Sequence, residues 1–511
     1  MLDLPPELWR EIASFIEKKE MTPLLGVNQL LRGCALDRIY EQTSIDLGEL
    51  GQSDYLQDIG HLGYPSYAIR IRKLSISTTR NVLKTSTKAH SRRNLKASAR
   101  TSLDALSKFH DILRGRKLSK SEIAQRLFLS FVRLKEIELF CVDEEEQEDF
   151  QAQMPLLLSS FQAYSSTLTS IGFSVAPLSF LSTLLPALPT VPTLERLSFR
   201  LMDYRVGSRI IEFDQILKHT IAPFISRHRE TLSFLQVISN SFSKEYDLLP
   251  LFENLGYIPH LKTLEIPFVL TRLSTSQSFS KLLKRHSETL EDLILFIPFN
   301  TSRLSSTEGS FATISTPLPR LKDLAIYSIM NTLHMANHAS TDLMDYISKY
   351  SSQLSKFAVY MKLFAWDDWK AFAGMNWNRL TSLSLRLSVA TPTVFDAFSS
   401  NFPSLKSLSL IVSAYQESFG ADGSKNKFCD EMSSRSYPTG SLTHLDIHHK
   451  NHEHHHPHLE LRSSDMSCVG AVVKAFPSVI SVNERHRTNF LQDLATSDSH
   501  RHRGGSRFVS R

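Results

Sequence analysis

Residues 191–200 read VPTLERLSFR, and this stretch contains the pattern that decides the fold. Leu194 is followed by apolar residues three and five positions later, at Leu197 and Phe199. The same Leu-x-x-Leu-x-apolar pattern recurs along much of the chain, which is typical of a repeat architecture. Copies begin at Leu134, Leu168, Leu194, Leu232, Leu261, Leu290, Leu321, Leu354, Leu380, Leu405 and Leu442, with a weaker one at Val479.

Each copy predicts a strand, and the stretches between copies predict helices. The last two apolar positions of a copy alternate with polar ones, the period of a strand with one buried face. Between copies, Ile210, Phe213, Leu217 and Ile221 fall on one helical face. We therefore expect an α/β fold, a solenoid-like array of parallel strands alternating with helices, in which each unit buries its apolar face against its neighbours.

The first forty residues predict a separate helical module. Pro5 and Pro6 suit the first turn of a helix, because their φ is fixed at about −65° and they lack an N–H. Leu8 and Ile12 then lie on one face of that helix. Two further apolar stripes follow, with Gly33 as the break between them, so three short helices are predicted. A module of about 40 residues seldom stabilises itself, and we expect it to dock onto a partner.

This module resembles the F-box. The matching residues are Leu4-Pro5-x-Glu7-Leu8-x-x-x-Ile12, Leu24-Leu25-x-Val27-Asn28-x-x-Leu31-Arg32 and Ala35-Leu36-x-x-Ile39-Tyr40. The resemblance implies a substrate receptor of a Skp/cullin/F-box (SCF) ubiquitin ligase, which binds a Skp-type adaptor and, through it, a cullin, and catalyses nothing itself. It also implies adaptor contacts by Leu4, Pro5, Leu8 and Ile12, with Leu25, Val27 and Leu31 either contacting the adaptor or supporting the module. The alternative is a leucine-rich-repeat scaffold outside any ligase, in which these helices only cap the repeats.

The repeats resemble the degenerate leucine-rich repeats that follow F-boxes in many fungal proteins. Successive first leucines are 25 to 38 residues apart, an irregular spacing that extends beyond the range of about 20–29 residues of a leucine-rich repeat. The asparagine of the family's strand-to-turn ladder is also missing, since Pro267 follows Ile266 and Phe296 follows Leu295.

Residues between the buried leucines are the candidate surface for an unknown protein target. The pattern places them on the concave side of the sheet: Arg196, Arg200, Glu265, Asp292, Phe296, Asp323, Tyr327 and Arg386. The alternative is that most of them are simply solvated, because fewer than about 30% of residues matter strongly even in a true interface.

The bulk composition favours a folded chain in the cytoplasm or nucleus. Hydrophobic residues make up 41% and charged residues 22% of the 511 residues, which is ordinary for a globular protein. The four cysteines are scattered and show no secreted-type framework. No basic and apolar leader precedes the first helix. The uncharged stretch from 150 to 194 contains five prolines, four of them between 177 and 192, and many serines, so we expect no membrane span there.

Two charged segments interrupt the pattern. Residues 78–101 carry seven basic side chains and no acidic one among Ser, Thr and Ala, which predicts a solvated, disordered insertion. Nucleic-acid binding or a nuclear import signal is the alternative for this segment, but it lacks aromatic residues for base stacking. Residues 143–149 are mostly acidic and predict an exposed loop. The predicted organisation is an F-box-like module (1–45), a connector with the first repeat (46–77), the basic insertion (78–101), the solenoid (102–484) and a disordered basic tail (485–511).

No motif in the sequence indicates catalysis or a cofactor. Phosphate-binding loops, dinucleotide fingerprints and nucleophile elbows are all absent from the sequence. Histidines cluster between His444 and His458, in what we expect to be a polar loop without the spacing of a defined metal site. The sequence therefore predicts a binding protein without metal, cofactor or enzymatic activity.

Overall fold

The structure is a computed structural model that divides into two compact units, 1–261 and 262–511. It describes residues 5–27, 29–47, 49, 55, 59, 61–77, 120–141, 147–175, 178–201, 210–239, 248–267, 273–297, 311, 314, 316–328, 339–364, 366–415, 427–438, 440–449 and 463–493. Leu4, the basic insertion at 78–101 and the His-rich stretch at 450–458 lie outside the described residues.

The first unit contains a parallel sheet whose strands follow chain order. Its strands are β1 (Gln42–Asp46), β2 (Lys73–Ser77), β3 (Glu136–Cys141), β4 (Ser170–Val175), β5 (Arg196–Leu201) and β6 (Phe234–Ser239). Each strand pairs in parallel with the next one. The register aligns equivalent positions of successive repeats, so that Ile171 faces Leu197 and Leu197 faces Leu235.

Helices connect these strands. They are α1 (Pro6–Phe15), α2 (Gln29–Tyr40), α3 (Pro65–Ala68), α4 (Lys120–Leu129), α5 (Gln147–Tyr164), α6 (Leu178–Ala187), α7 (Ile210–Ile216), α8 (Ala222–Arg227) and α9 (Leu249–Asn254). A π-helical turn, Leu217–Ile221, joins α7 to α8. Pro223 is the second residue after this turn and cannot donate a helical hydrogen bond, which accounts for the local widening of the helix.

The second unit repeats the same arrangement. Its strands are β7 (Thr263–Pro267), β8 (Asp292–Ile297), β9 (Asp323–Ser328), β10 (Lys356–Phe364), β11 (Ser382–Leu387), β12 (Ser407–Val412), β13 (His444–His449), β14 (Ser481–Val482) and β15 (Arg485–His486). Its helices are α10 (Leu273–Arg285), α11 (Ala339–Ser348), α12 (Trp366–Ala373), α13 (Pro392–Asn401), α14 (Lys427–Ser433) and α15 (Ser463–Ala475). Neighbouring strands from β7 to β14 are parallel, and β14 and β15 form an antiparallel hairpin.

Burial follows the predicted alternation. The residues that open the copies, from Leu134 to Val479, are almost completely buried, as are the two apolar positions after each from Leu134 to Leu442 and the one after Val479, Val482. The core also contains stacked aromatic rings, for example Phe173 and Phe199, whose centroids lie 5.2 Å apart. The predicted α/β fold of parallel strands alternating with helices is confirmed within each unit. No helix in the described part of the chain is both long and apolar enough to cross a membrane.

Four local predictions differ from the structure. Residues 147–149 of the predicted acidic loop begin α5, and 143–146 lie outside the described residues. The predicted break at Gly33 is wrong, because α2 runs through it, and the stretch before α2 forms 3₁₀ turns at Lys18–Glu20 and Thr22–Gly26. His444, His448 and His449 lie in β13 and not in a loop. Residues 485–493, the start of the predicted disordered tail, form β15 and a short helix at 487–493.

Candidate interaction surfaces

The N-terminal module has a small core of its own. Ala13 of α1, Met21 between the two 3₁₀ turns and Ala35 of α2 are buried together. Ile16, Leu24, Leu25, Cys34 and Ile39 pack against them and are partly buried. The residues that α1 and α2 contribute to this cluster are both alanines, and the longer apolar side chains Leu8, Ile12 and Phe15 of α1 lie outside it.

These longer side chains form an exposed apolar face on α1, which we call the α1 face and define as Leu8, Ile12 and Phe15. Their exposed fractions are 43%, 41% and 81%. Residues at positions i, i+4 and i+7 lie along one side of a helix. Pro5 and Pro6 begin the helix without a side-chain cap, and the backbone N–H of Leu8 donates to the carbonyl of Pro5.

The other predicted adaptor residues divide by burial. Pro5 and Val27 are exposed, Leu25 is partly buried against the module core, and Leu31 is buried. Leu31 therefore supports the module from inside, one of the two roles that the sequence left open for it. Sequence reasoning omitted Phe15 from the adaptor residues, although its spacing from Leu8 and Ile12 was the signal for it.

The module is attached to the repeats through α2. The guanidinium of Arg70 donates to the carbonyl of Gly33 at 3.0 Å and also bonds the carboxylate of Asp37. The rings of Tyr40 and Tyr67 are 4.8 Å apart. Burial raises the pKa of Tyr40 to about 12, and the neighbouring Tyr67 adds to this. These contacts fix the side of the module formed by α2 and leave the α1 face exposed.

On the sheet of the first unit, Arg196 and Arg200 are exposed on β5. The guanidinium of Arg196 lies 4.0 Å from the ring centroid of Phe234 on β6. The ammonium of Lys73 lies 3.7 Å from a carboxylate oxygen of Glu136 and 3.8 Å from one of Glu138. This surface is therefore charged, with both signs represented.

The sheet of the second unit carries a row of stacked aromatic side chains, which we call the aromatic row: Phe296, Tyr327 and Tyr360. The rings of Phe296 and Tyr327 are 5.4 Å apart, and those of Tyr327 and Tyr360 are 5.1 Å apart and nearly parallel. All three side chains are partly exposed. Burial raises the pKa of Tyr327, and Tyr360 and Glu265 raise it further.

A row of polar side chains lies on the same side of the sheet, near the beginning of the strands. The register places Thr263, Asp292, Asp323 and Lys356 next to one another across β7 to β10. Thr263 donates to Asp292 at 2.8 Å, and Lys356 pairs with Asp323 at 2.7 Å. Burial raises the pKa of Asp292, and the nearby Asp323 adds to this, although the hydroxyl of Thr263 opposes it.

Small and aliphatic residues separate the polar row from the aromatic row. Ile294, Ala325, Ala358 and Ser384 share one register position on β8 to β11, and Glu265 occupies it on β7. Next to the aromatic row, Arg386 donates to the carbonyl of Tyr360 at 2.9 Å. The result is a shallow strip of small side chains between an aromatic edge and a polar edge. Such a strip can receive an extended peptide segment, because aromatic side chains often anchor interfaces.

Six of the eight predicted target residues thus lie together on β7 to β11, whereas Arg196 and Arg200 belong to the first unit. The six are Glu265, Asp292, Phe296, Asp323, Tyr327 and Arg386. Sequence reasoning missed Tyr360. The signal was present, because Tyr360 directly follows the last apolar position of its copy, as Phe296 and Tyr327 follow theirs.

Other sequence features have structural roles. Trp369, Phe372 and Trp377 are buried, and the indole N–H of Trp377 donates to the carbonyl of Phe372 at 2.7 Å.

In the described ranges, no group of three or more His, Cys, Asp or Glu side chains is arranged to hold a metal ion.

The sequence matches no protein-family model and no curated protein. Among solved structures, the chain resembles the crystal structure of the Rad7 and Elc1 complex in yeast, with a TM-score of 0.40 and 11% sequence identity. The match covers 83% of this chain and 93% of that chain. We infer no function from a likeness of this size.

Proposed function

We propose that this protein is a substrate receptor of a Skp/cullin/F-box type ubiquitin ligase. The module of 1–45 binds a Skp-type adaptor through Pro5, Leu8, Ile12, Phe15 and Val27, and the adaptor links the chain to a cullin. The chain itself catalyses no reaction. It acts in the cytoplasm or nucleus by holding a target near the ubiquitin-charged partner, which raises the effective concentration of the reacting groups.

The observation that carries this proposal is the α1 face. A helix that served only as a cap would turn its long apolar residues toward the repeats. Here the module is attached through α2, and Leu8, Ile12 and Phe15 are exposed. A contiguous apolar face rimmed by polar residues marks an interaction site in a soluble protein. The F-box resemblance, which includes Leu8 and Ile12, supports a Skp-type adaptor as the partner.

Co-purification with a Skp-type adaptor tests this proposal. We expect the full chain to retain the adaptor at micromolar concentration and the double variant Leu8→Asp, Ile12→Asp to lose it. Val132→Asp and Ile480→Asp are matched controls, because they place the same charge at exposed apolar positions elsewhere. Retention by the controls and loss in the double variant support the receptor function. Failure of the wild-type chain to bind would refute it and leave a repeat scaffold outside the ligase.

The surface that recognises the target is, on this proposal, the strip between the aromatic row and the polar row. Its partly exposed rings are already stacked on one another, so little side-chain entropy is lost when a target packs on them. Target proteins should accumulate in cells that express the Leu8→Asp, Ile12→Asp chain, which is expected to lose the adaptor. A photo-crosslinking residue in place of Tyr327 should capture these same proteins. The same crosslinker in place of the exposed Tyr257 is the control. Equal capture from both positions would place the target surface elsewhere.

A further inference from the structure

Two cysteines from different helices meet near the end of the second unit. The Sγ atoms of Cys429 on α14 and Cys468 on α15 are 3.5 Å apart, and neither cysteine is in a disulfide. Cys429 is partly exposed and Cys468 is buried. A disulfide bond has a length of about 2.05 Å, so the two sulfur atoms need to approach by only about 1.5 Å.

Helix packing holds these sulfur atoms together. Phe428 and Met432 are completely buried and anchor α14, while Val469 and Val472 do the same for α15. The ring of Phe428 lies 5.0 Å from that of Tyr415. Because both thiols are on helices anchored in the core, their proximity is fixed by the fold.

The two thiols also differ in a way that suits a stepwise reaction. The hydrogen bond between the two thiols lowers the pKa of the Cys429 thiol, although burial and Asp430 oppose this. A thiolate is the reactive form of cysteine. Cys429 is thus the more accessible partner and has a lowered pKa, and Cys468 is placed to react with it from the buried side.

We propose that Cys429 and Cys468 form a reversible disulfide that responds to a peroxide. The Cys429 thiolate attacks one oxygen of hydrogen peroxide, the O–O bond breaks, and the products are a sulfenic acid and, after protonation, water. The sulfur of Cys468 then attacks the sulfenic sulfur, an S–S bond forms, and the S–O bond breaks. The departing hydroxide takes the thiol proton and leaves as a second water.

The electron balance is complete, because the two thiols lose two electrons and one peroxide molecule gains them. A dithiol reductant such as dithiothreitol reverses the modification by exchange. In a reducing compartment the pair therefore remains as thiols until peroxide rises. The oxidised bond connects α14 to α15 and restrains the chain between them. This inference does not depend on the proposed ligase function.

Peptide mapping of the full chain tests the proposal. The folded, reduced chain is exposed to hydrogen peroxide, alkylated and digested with trypsin without reductant. Cleavage after Lys427, Arg435, Arg462 and Lys474 should give the linked peptides FCDEMSSR (428–435) and SSDMSCVGAVVK (463–474). We expect this pair in the wild type and in Cys34→Ser, its loss in Cys429→Ser and Cys468→Ser, and its separation by dithiothreitol.

A second measurement needs no variant. The yield of linked peptide, relative to alkylated or sulfinic Cys429, is compared between the folded chain and the chain unfolded in urea. Because the fold fixes the contact, the folded chain should give a yield about tenfold higher. Equal yields, or recovery of Cys429 from the folded chain only as alkylated or sulfinic peptide, would overturn the proposal.

Discussion

His228 accepts a hydrogen bond on Nε2 from the backbone N–H of Val191, at 3.1 Å, and so joins two neighbouring repeats. Since Nε2 accepts, the ring proton lies on Nδ1, which donates to the carbonyl of Phe224 at 2.9 Å. His286 occupies the same place in a later copy and contacts the carbonyl of Leu282 through Nδ1 at 2.9 Å. Both rings are buried. For His228 this bonding requires the neutral form of the imidazole.

We therefore expect the stability of the protein to fall with pH below about 6.5, the pKa of histidine in an unfolded chain. Burial lowers the pKa of both His228 and His286 in the folded state. Below about pH 6.5 the unfolded chain binds protons that the folded chain does not, so stability is lost progressively as the pH approaches the lowered folded values. Thermal unfolding at several pH values between about 7.5 and 5.5 measures this slope.

The double variant His228→Gln, His286→Gln should be less stable at neutral pH and have a shallower pH dependence. His219→Gln is the control, because His219 is exposed on the same helical stretch as His228. An unchanged slope in the double variant would show that other groups cause the acid sensitivity.

A hydroxyl ladder also joins the repeats of the first unit. The residue just before the first leucine of a copy donates to the carbonyl of the preceding copy's first leucine. The bonds are Thr167 to Leu134 at 2.9 Å, Thr193 to Leu168 at 2.7 Å and Thr231 to Leu194 at 2.7 Å. A threonine directly precedes the first leucine in each of these three copies, and the hydrogen bonds give a physical reason for this recurrence.

Replacing Thr231 by Val, which has nearly the same shape, should lower the free energy of unfolding by about 1 kcal/mol, because the hydrogen bond to Leu194 is lost. Thr231→Ser retains the hydroxyl and should lose less. Urea unfolding of the three proteins gives the comparison. If Thr231→Ser and Thr231→Val were equally destabilised, the methyl group of the threonine and not its hydroxyl would be responsible.

The repeat pattern predicted most of the strands, because burying one face of a strand imposes a strict period of two on the sequence. Ile137, Ile171, Leu197 and Leu235 are apolar for this reason and are aligned across β3 to β6. The six predicted target residues on β7 to β11 could be placed on one face of the sheet by the same alternation. Their mutual contacts could not be predicted, because the sequence does not state the register between strands.

Other features depended on tertiary context. Gly33 reads as a helix break by propensity, but a glycine within a helix costs only about 1 kcal/mol, and the packing of Ala35 and Leu31 on either side outweighs it. The turn at Asn483 and Glu484 lacks glycine although both residues have positive φ. The side chain of Asn483 supports this turn by bonding the backbone of Ile447, a contact that no local pattern reveals.

Trp377 should contribute more to stability than any exposed tryptophan of the chain. It is completely buried, packs on Phe372 at 4.6 Å and on Phe402 at 6.0 Å, and its N–H is bonded. Trp377→Ala should therefore lower the free energy of unfolding by about 3–5 kcal/mol. Trp366→Ala is the control, since Trp366 is exposed and its ring contacts Lys370 at 5.2 Å. We expect it to cost about 1 kcal/mol or less, and similar losses for both variants would contradict the burial that distinguishes them.

The stability of the double variant Leu8→Asp, Ile12→Asp also distinguishes between two roles of α1, as a helix that binds a partner or as a cap on the repeats. If the α1 face binds a partner, the free energy of unfolding of the isolated chain should fall by no more than about 1 kcal/mol in the double variant, because exposed positions tolerate charge. Ala35→Asp is the contrasting change, since Ala35 is completely buried in the module core and a carboxylate there has no room and little water. Hydrogen exchange of α1 and α2 reports on the module itself, whose unfolding a global melting curve could miss. Retained protection in the double variant with loss in Ala35→Asp is the expected result. Loss of protection in both would mean that Leu8 and Ile12 stabilise the chain from within, as the capping alternative requires.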